Sequence, residues 1–174
     1  MKTILLSLVL TLPFLLQAQT VSINEFYRKY KNINEENVHV SLPGWIVKLG
    51  ASIAKTQVEE DMEKQAIDLA KKIKKLRVLT FEESNPVAPK DLERLIKKVR
   101  RENFEDLILV REKDTKVNLM IREKRDIVKN LLILVSEDDS FTMVSMKTKF
   151  KYDEIEAFIN EAINEEGGIM EVKL

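Results

Sequence analysis

The sequence predicts one α+β domain, with helices packed mainly on one face of a mostly antiparallel sheet of about five to six strands. Two observations predict it. In the first half, apolar residues recur mostly at helical spacing, broken by two short strand-like runs, and in the second half four strand candidates follow one another with short polar separators. No repeat and no long linker divides the chain, so this mixed order fits a single core. With 174 residues, 44% of them hydrophobic, the chain has the material to bury one.

Residues 1–18 read as an address rather than as part of that domain. Lys2 gives a positive start, Ile4 to Leu16 is almost wholly apolar, and Gln17-Ala18-Gln19 turns polar, which is the layout of a secretory signal peptide cut after Ala18. The apolar run falls short of the roughly 20 residues of a membrane span, and Pro13 interrupts it. The expectation is an exported chain, periplasmic or secreted, with residues 19–174 as the domain and no membrane span after cleavage. With no cysteine in the sequence, it is not expected to be a lipoprotein.

The domain begins with a helix over about Ser22–Lys31. Ser22 and Glu25 have capping-box spacing, Val21 and Phe26 staple spacing, and Ile23, Phe26, Tyr27 and Tyr30 share one side. After a polar loop, Val38, Val40 and Leu42 alternate with His39 and Ser41 as a strand, ended by Pro43-Gly44. A short helix follows from Trp45 to about Lys55, and a longer one from Val58 to Lys75 with a stripe including Met62, Ala66, Leu69 and Ile73. Leu76–Phe81 is the next strand, and Leu92, Leu95, Ile96 and Val99 mark a helix ending near Asn103.

The four strands expected next are Glu105–Glu112, Val117–Arg122, Val128–Ser136 and Phe141–Phe150, joined as a meander. Leu107–Val110 and Leu131–Val135 are apolar on both faces, which predicts that their strands are central. Asp153 and Glu156 frame the start of a last helix with Ile155, Phe158 and Ile159 in its stripe, and Gly167-Gly168 stops it before a short apolar tail.

Composition excludes much chemistry. The absence of cysteine removes disulfides, thiol nucleophiles and thiolate metal sites, and one histidine cannot build a multi-histidine zinc site. None of the four glycines falls in a phosphate-loop pattern. His39 and Ser41, two apart on a strand, stand about 7 Å apart from the strand rise, too far for a direct base–nucleophile contact. Glu137-Asp138-Asp139 lacks a calcium-loop pattern and reads as a turn. The basic runs Lys71–Arg77 and Lys97–Arg101 end helices that begin with acids, so they complement helix dipoles, and with zero net charge no nucleic-acid partner is expected. No catalytic, metal or cofactor residue is assigned.

Trp45, the only tryptophan, either fills the core at a strand-to-helix junction or anchors a partner. With helices on one side, the sheet's other face is expected to carry a partner-binding stripe. Alternation assigns Met120 and Arg122 to that face, and Met143 joins them from the last long strand, so the expected partner face is Met120, Arg122, Met143 and Trp45. A helix or the tail covering that face is the alternative.

The stretch Val38–Leu49, VHVSLPGWIVKL, resembles the opening of an exported bacterial family common in Bacteroidota, domain of unknown function 4252. Ile73–Leu79, Phe104–Arg111 and Leu131–Phe141 resemble further blocks of it. The resemblance implies export and a small α+β domain, and implies no catalytic residue. Two features depart from the family pattern. Lys147-Thr148-Lys149-Phe150 stands where a glycine is common near the end of the last long strand, and the lipoprotein cysteine of many members is absent. The function expected is a non-enzymatic envelope domain binding a protein or envelope component. A hydrolase acting on an envelope polymer through carboxylates is the alternative.

Overall fold

A computed structural model describes residues 20–33, 38–54 and 61–165. The expected signal peptide over 1–18 and the expected tail after Gly167-Gly168 lie outside these residues. The elements are α1 (Val21–Tyr30), β1 (Val38–Pro43), α2 (Gly44–Ala54), α3 (Asp61–Ala70), β2 (Lys75–Phe81), α4 (Pro89–Arg101), β3 (Glu105–Arg111), β4 (Lys116–Glu123), β5 (Ile127–Ser136), β6 (Phe141–Lys151) and α5 (Tyr152–Glu165). The strands form one sheet in the order β1-β2-β6-β5-β4-β3, antiparallel throughout. The α+β class is as the sequence predicts. The expected long helix is already over at Ala70, because Lys74 and Lys75 are drawn into the sheet, where the Lys74 N–H donates to the Lys147 carbonyl at 2.7 Å.

The meander of β3 to β6 follows from its turns. Arg125 and Asp126 both adopt positive φ, 55° and 58°, and the Lys124 and Ile127 backbones bond across them. That is the two-residue turn whose twist suits a hairpin. At the end of α4, Asn103 takes φ 63° and the Phe104 N–H closes on the Val99 carbonyl at 3.1 Å, so the helix stops there. Pro89 opens α4, Asp91 lies in its first turn and Lys98, Arg100 and Arg101 in its last, as the dipole favours.

Both faces of the sheet carry helices, which corrects the one-sided expectation. α1 and α4 cover the first face, where Ile23, Phe26, Tyr27, Leu95 and Val99 meet Leu79, Phe81, Met120, Leu132, Phe141 and Met143. Phe26 lies 4.7 Å from Tyr30 and 5.8 Å from Phe141 between ring centres, spacing that adds to the burial itself. On the second face Val47 of α2, Leu69 and Ala70 of α3 and Ile155 and Ile159 of α5 gather around Ile121, Leu131 and Phe150. The reason lies in the strands. Residues of alternate register, such as Leu132 and Leu131, are apolar on both sides, so neither face is left to water.

Strand position is corrected too. β5 is central, but β3 is an edge strand. Its apolar run reflects a bulge between Asp106 and Ile108 that lets both Leu107 and Ile108 be buried, while Leu109 stays 37% exposed. The capping-box spacing at Ser22 is used differently from expectation. Ser22 makes no cap on α1; its N–H and hydroxyl both donate to Glu102 Oε1 at 3.0 and 2.6 Å, and Glu25 pairs with Lys98. These residues tie α1 to α4 instead. At α5 the frame shifts: the Lys151 N–H donates to Glu154 rather than an Asp153–Glu156 pair forming the cap.

Candidate functional site

The residues expected on a partner face do not share one surface. Met120 and Met143 are both 0% exposed, in the core beneath α1 and α4. The alternation of β4 was read correctly, but the covered side was inverted: α1 and α4 lie on the Met120 side. Arg122 is half-buried, its guanidinium 5.8 Å above the Phe104 ring and bonded to the Asn130 side chain. Trp45 is the exception. It is 68% exposed, so the core reading of this residue is overturned.

The position of Trp45 follows from the chain just before it. Gly44 opens α2 with its N–H bonded to the Lys74 carbonyl at 2.8 Å. A Cβ on Gly44 would stand 2.4 Å from the Ile73 carbonyl oxygen and 2.7 Å from the Lys74 Cα, both backbone atoms. Only glycine permits this approach, and it fixes the rotation of α2 against the end of the sheet. Ala51 is buried and Val47 packs inward, one turn apart. The opposite side then carries Trp45, Leu49 and Ile53 at spacing of four, exposed by 68%, 57% and 60%. An α-helix apolar on two sides belongs in a core; here one of the two sides faces out.

Beside that side lies a cluster of cations. Lys48, three residues after Trp45, shares its helical face. Lys74 feels the charges of Lys149, Lys147, Lys129 and Lys48; partial burial, then these like charges, hold its ammonium pKa below the ordinary lysine value. Lys75 faces Lys147 across the β2–β6 pair, and burial followed by Arg77 and Lys147 lowers it likewise. Among the described residues none of Lys48, Lys74, Lys129, Lys147 and Lys149 makes an ion pair. Elsewhere lysines such as Lys29, Lys72 and Lys98 are paired with Asp91, Glu154 and Glu25.

Several clefts flank the domain. Between α3, α5 and the second sheet face lies an apolar cavity of about 210 Å³, lined by Leu69, Ile73, Leu119, Ile133, Met146 and Phe158 among others. A second cleft of about 320 Å³ brings Asp68, Asp153 and Glu154 together, the kind of carboxylate grouping a hydrolase would use. Here Asp68 pairs with Lys71, and Glu154 is engaged by Lys72 and by the Lys151 N–H, which hold its carboxyl below the usual range. A general acid needs the reverse shift. His39 is exposed on the edge strand. Among the described residues, no group of three or more acidic or histidine side chains is placed to hold a metal ion.

Sequence reasoning missed both the outward side of α2 and the lysine cluster. The helix carried a readable signal, Trp45, Leu49 and Ile53 on one side and Val47 and Ala51 on another. The cluster carried none, because its lysines come from α2, the start of β2, β5 and β6.

No curated protein matches the chain. The family model for Domain of unknown function (DUF4252) matches residues 27–158, from within α1 to the second turn of α5 and so across the whole sheet. The chain is a member of the DUF4252 family.

Proposed function

We propose that this protein is an exported, non-enzymatic domain of the cell envelope that binds a protein or envelope component through the outward side of α2. One observation carries the reading: Trp45 and Leu49, one turn apart, are 68% and 57% exposed on a helix whose other side is packed. Large apolar side chains grouped on a surface mark interaction sites, and tryptophan is the residue most enriched where binding energy concentrates. Export rests on the basic start, apolar run and small residue before the cut within residues 1–18. The engaged state of Glu154 weighs against the hydrolase alternative.

The test has two parts. Protein recovered from its native host is expected to begin at Gln19 by mass spectrometry and to fractionate outside the cytosol; full-length cytosolic chain would overturn the export half. Cross-linking in envelope extract is expected to yield adducts that Leu49→Asp abolishes while its circular dichroism matches the parent. Adducts unchanged by that substitution would remove α2 from the reading.

A further inference from the structure

We infer that the outward side of α2, with the lysines beside it, docks on an anionic lipid surface: Trp45 and Leu49 enter the headgroup layer while Lys48, Lys74, Lys129, Lys147 and Lys149 face lipid phosphates. This deepens the envelope-binding reading and rests on it. Two independent observations meet at one end of the molecule. The first is the exposed apolar side of α2, whose Trp45 and Leu49 stand 68% and 57% open to solvent. The second is a group of lysines drawn from α2, the residue just before β2, β5 and β6, with no ion pair among the described residues, in a chain of formal charge zero. The cluster is thus a local asymmetry and not the overflow of a basic protein.

The two are physically joined. Gly44, next to Trp45, is bonded to the Lys74 carbonyl, the Lys74 N–H to the Lys147 carbonyl, and Lys48 shares the Trp45 side of the helix. Burial, then repulsion from the neighbouring lysines, lowers the Lys74 pKa, and the repulsion is relieved when a surface of opposite charge is brought against them. An apolar helix side containing tryptophan and leucine, bordered by lysine, is the composition of helices that lie in a membrane interface. Tryptophan suits the headgroup level because its ring is apolar and its N–H polar. A single-stranded nucleic acid would call for several rings interleaved with the cations, and among the described residues none of these five lysines stands over a ring. Lys48, Lys74, Lys147 and Lys149 are exposed and Lys129 is half-buried.

The test uses the chain beginning at Gln19, which keeps every residue of both cores, and vesicles of phosphatidylcholine with or without one third phosphatidylglycerol. The protein is expected to co-sediment with the anionic vesicles and not with pure phosphatidylcholine, with a blue shift of the emission of its single tryptophan. Binding is expected to weaken with added salt. Lys74→Glu and Lys149→Glu should each weaken binding at least about fivefold, the loss that one juxtamembrane cation entails, and Leu49→Asp at least about tenfold, all three remaining folded by circular dichroism. Inorganic phosphate at matching concentration should not displace the protein. No sedimentation with anionic vesicles, sedimentation without an emission shift, or displacement by inorganic phosphate would each overturn the lipid inference. The N-terminus in the host is read separately. An exported chain that ignores anionic vesicles overturns the lipid surface alone, and a full-length cytosolic chain overturns the envelope reading, whichever way the vesicles decide.

Discussion

On the first face of the sheet Leu79, Met120, Leu132, Phe141 and Met143 are all 0% exposed, whereas on the second Leu119, Ile133 and Met146, from three of the same strands, remain only half-buried. Both faces are apolar and both carry helices. They differ in how far the helices reach. α1 and α4 span the first face and are pinned by Ser22 to Glu102, Glu25 to Lys98 and Lys29 to Asp91. α2, α3 and α5 gather around Ile73, Leu131 and Phe150 at one end of the second face and leave the apolar cavity of about 210 Å³ above Leu119 and Ile133. The contrast teaches that alternation along a strand states how many faces are apolar, while the reach of the helices decides which one is closed.

Substitutions at matched positions on the two faces test whether they differ in stability. The largest effect is expected at the closed face. Phe141→Ala should cost about 3–5 kcal/mol, and Met120→Asp, which buries a charge without a partner, should prevent folding. On the second face Ile133→Ala, half-buried beside an existing cavity, should cost less than about 2 kcal/mol. Denaturant titration of the pair reads the difference, and equal losses at Phe141 and Ile133 would dissolve the distinction between the faces.

Next in size is Gly44→Ala. Its Cβ meets backbone at Ile73 and Lys74, which cannot swing aside, so a loss of about 1–3 kcal/mol is expected. A neutral result would mean that α2 is not seated as described. Leu109→Ala, on the edge strand, should fall below about 1 kcal/mol.

The smallest expected effect is electrostatic. Asp91 accepts from Lys29 Nζ and the Tyr30 hydroxyl, and these bonds hold its carboxyl below the usual carboxylate range. A depressed carboxylate stabilises the fold above its unfolded pKa, and that contribution is lost as pH falls through the folded value. Asp91→Asn should therefore be slightly less stable than the parent near neutrality and indistinguishable from it in strong acid, by thermal melts across that range. A difference that persists in strong acid would assign the effect to packing instead of charge.

Much of this was legible in the residues. The elements were, since periodicity and turn chemistry are local: the polar separators between the strands became the hairpin loops, and Ile23, Phe26, Tyr27 and Tyr30 became the buried side of α1. Strand order was not, because the return of β6 to β2 is a long-range pairing that no local pattern records. For that reason Leu107–Val110, apolar on both sides, read as a central strand and proved to be an edge. Of the four residues expected on a partner face, Trp45 is the one the structure leaves exposed. Met120, Met143 and Arg122 depended on knowing which face α1 and α4 would take. Trp45 was singled out by its type, and its exposure depended on the close contact of Gly44 with Ile73 and Lys74, far off in sequence.

The outward side of α2 is uncovered in the free protein, and Trp45, the single tryptophan of the sequence, reports on it without ambiguity. Acrylamide quenching of its emission in the chain beginning at Gln19 is the direct measurement. Red, water-like emission is expected, quenched nearly as efficiently in the folded protein as in denaturant. Blue emission with strong protection from acrylamide in the folded, lipid-free protein would contradict it.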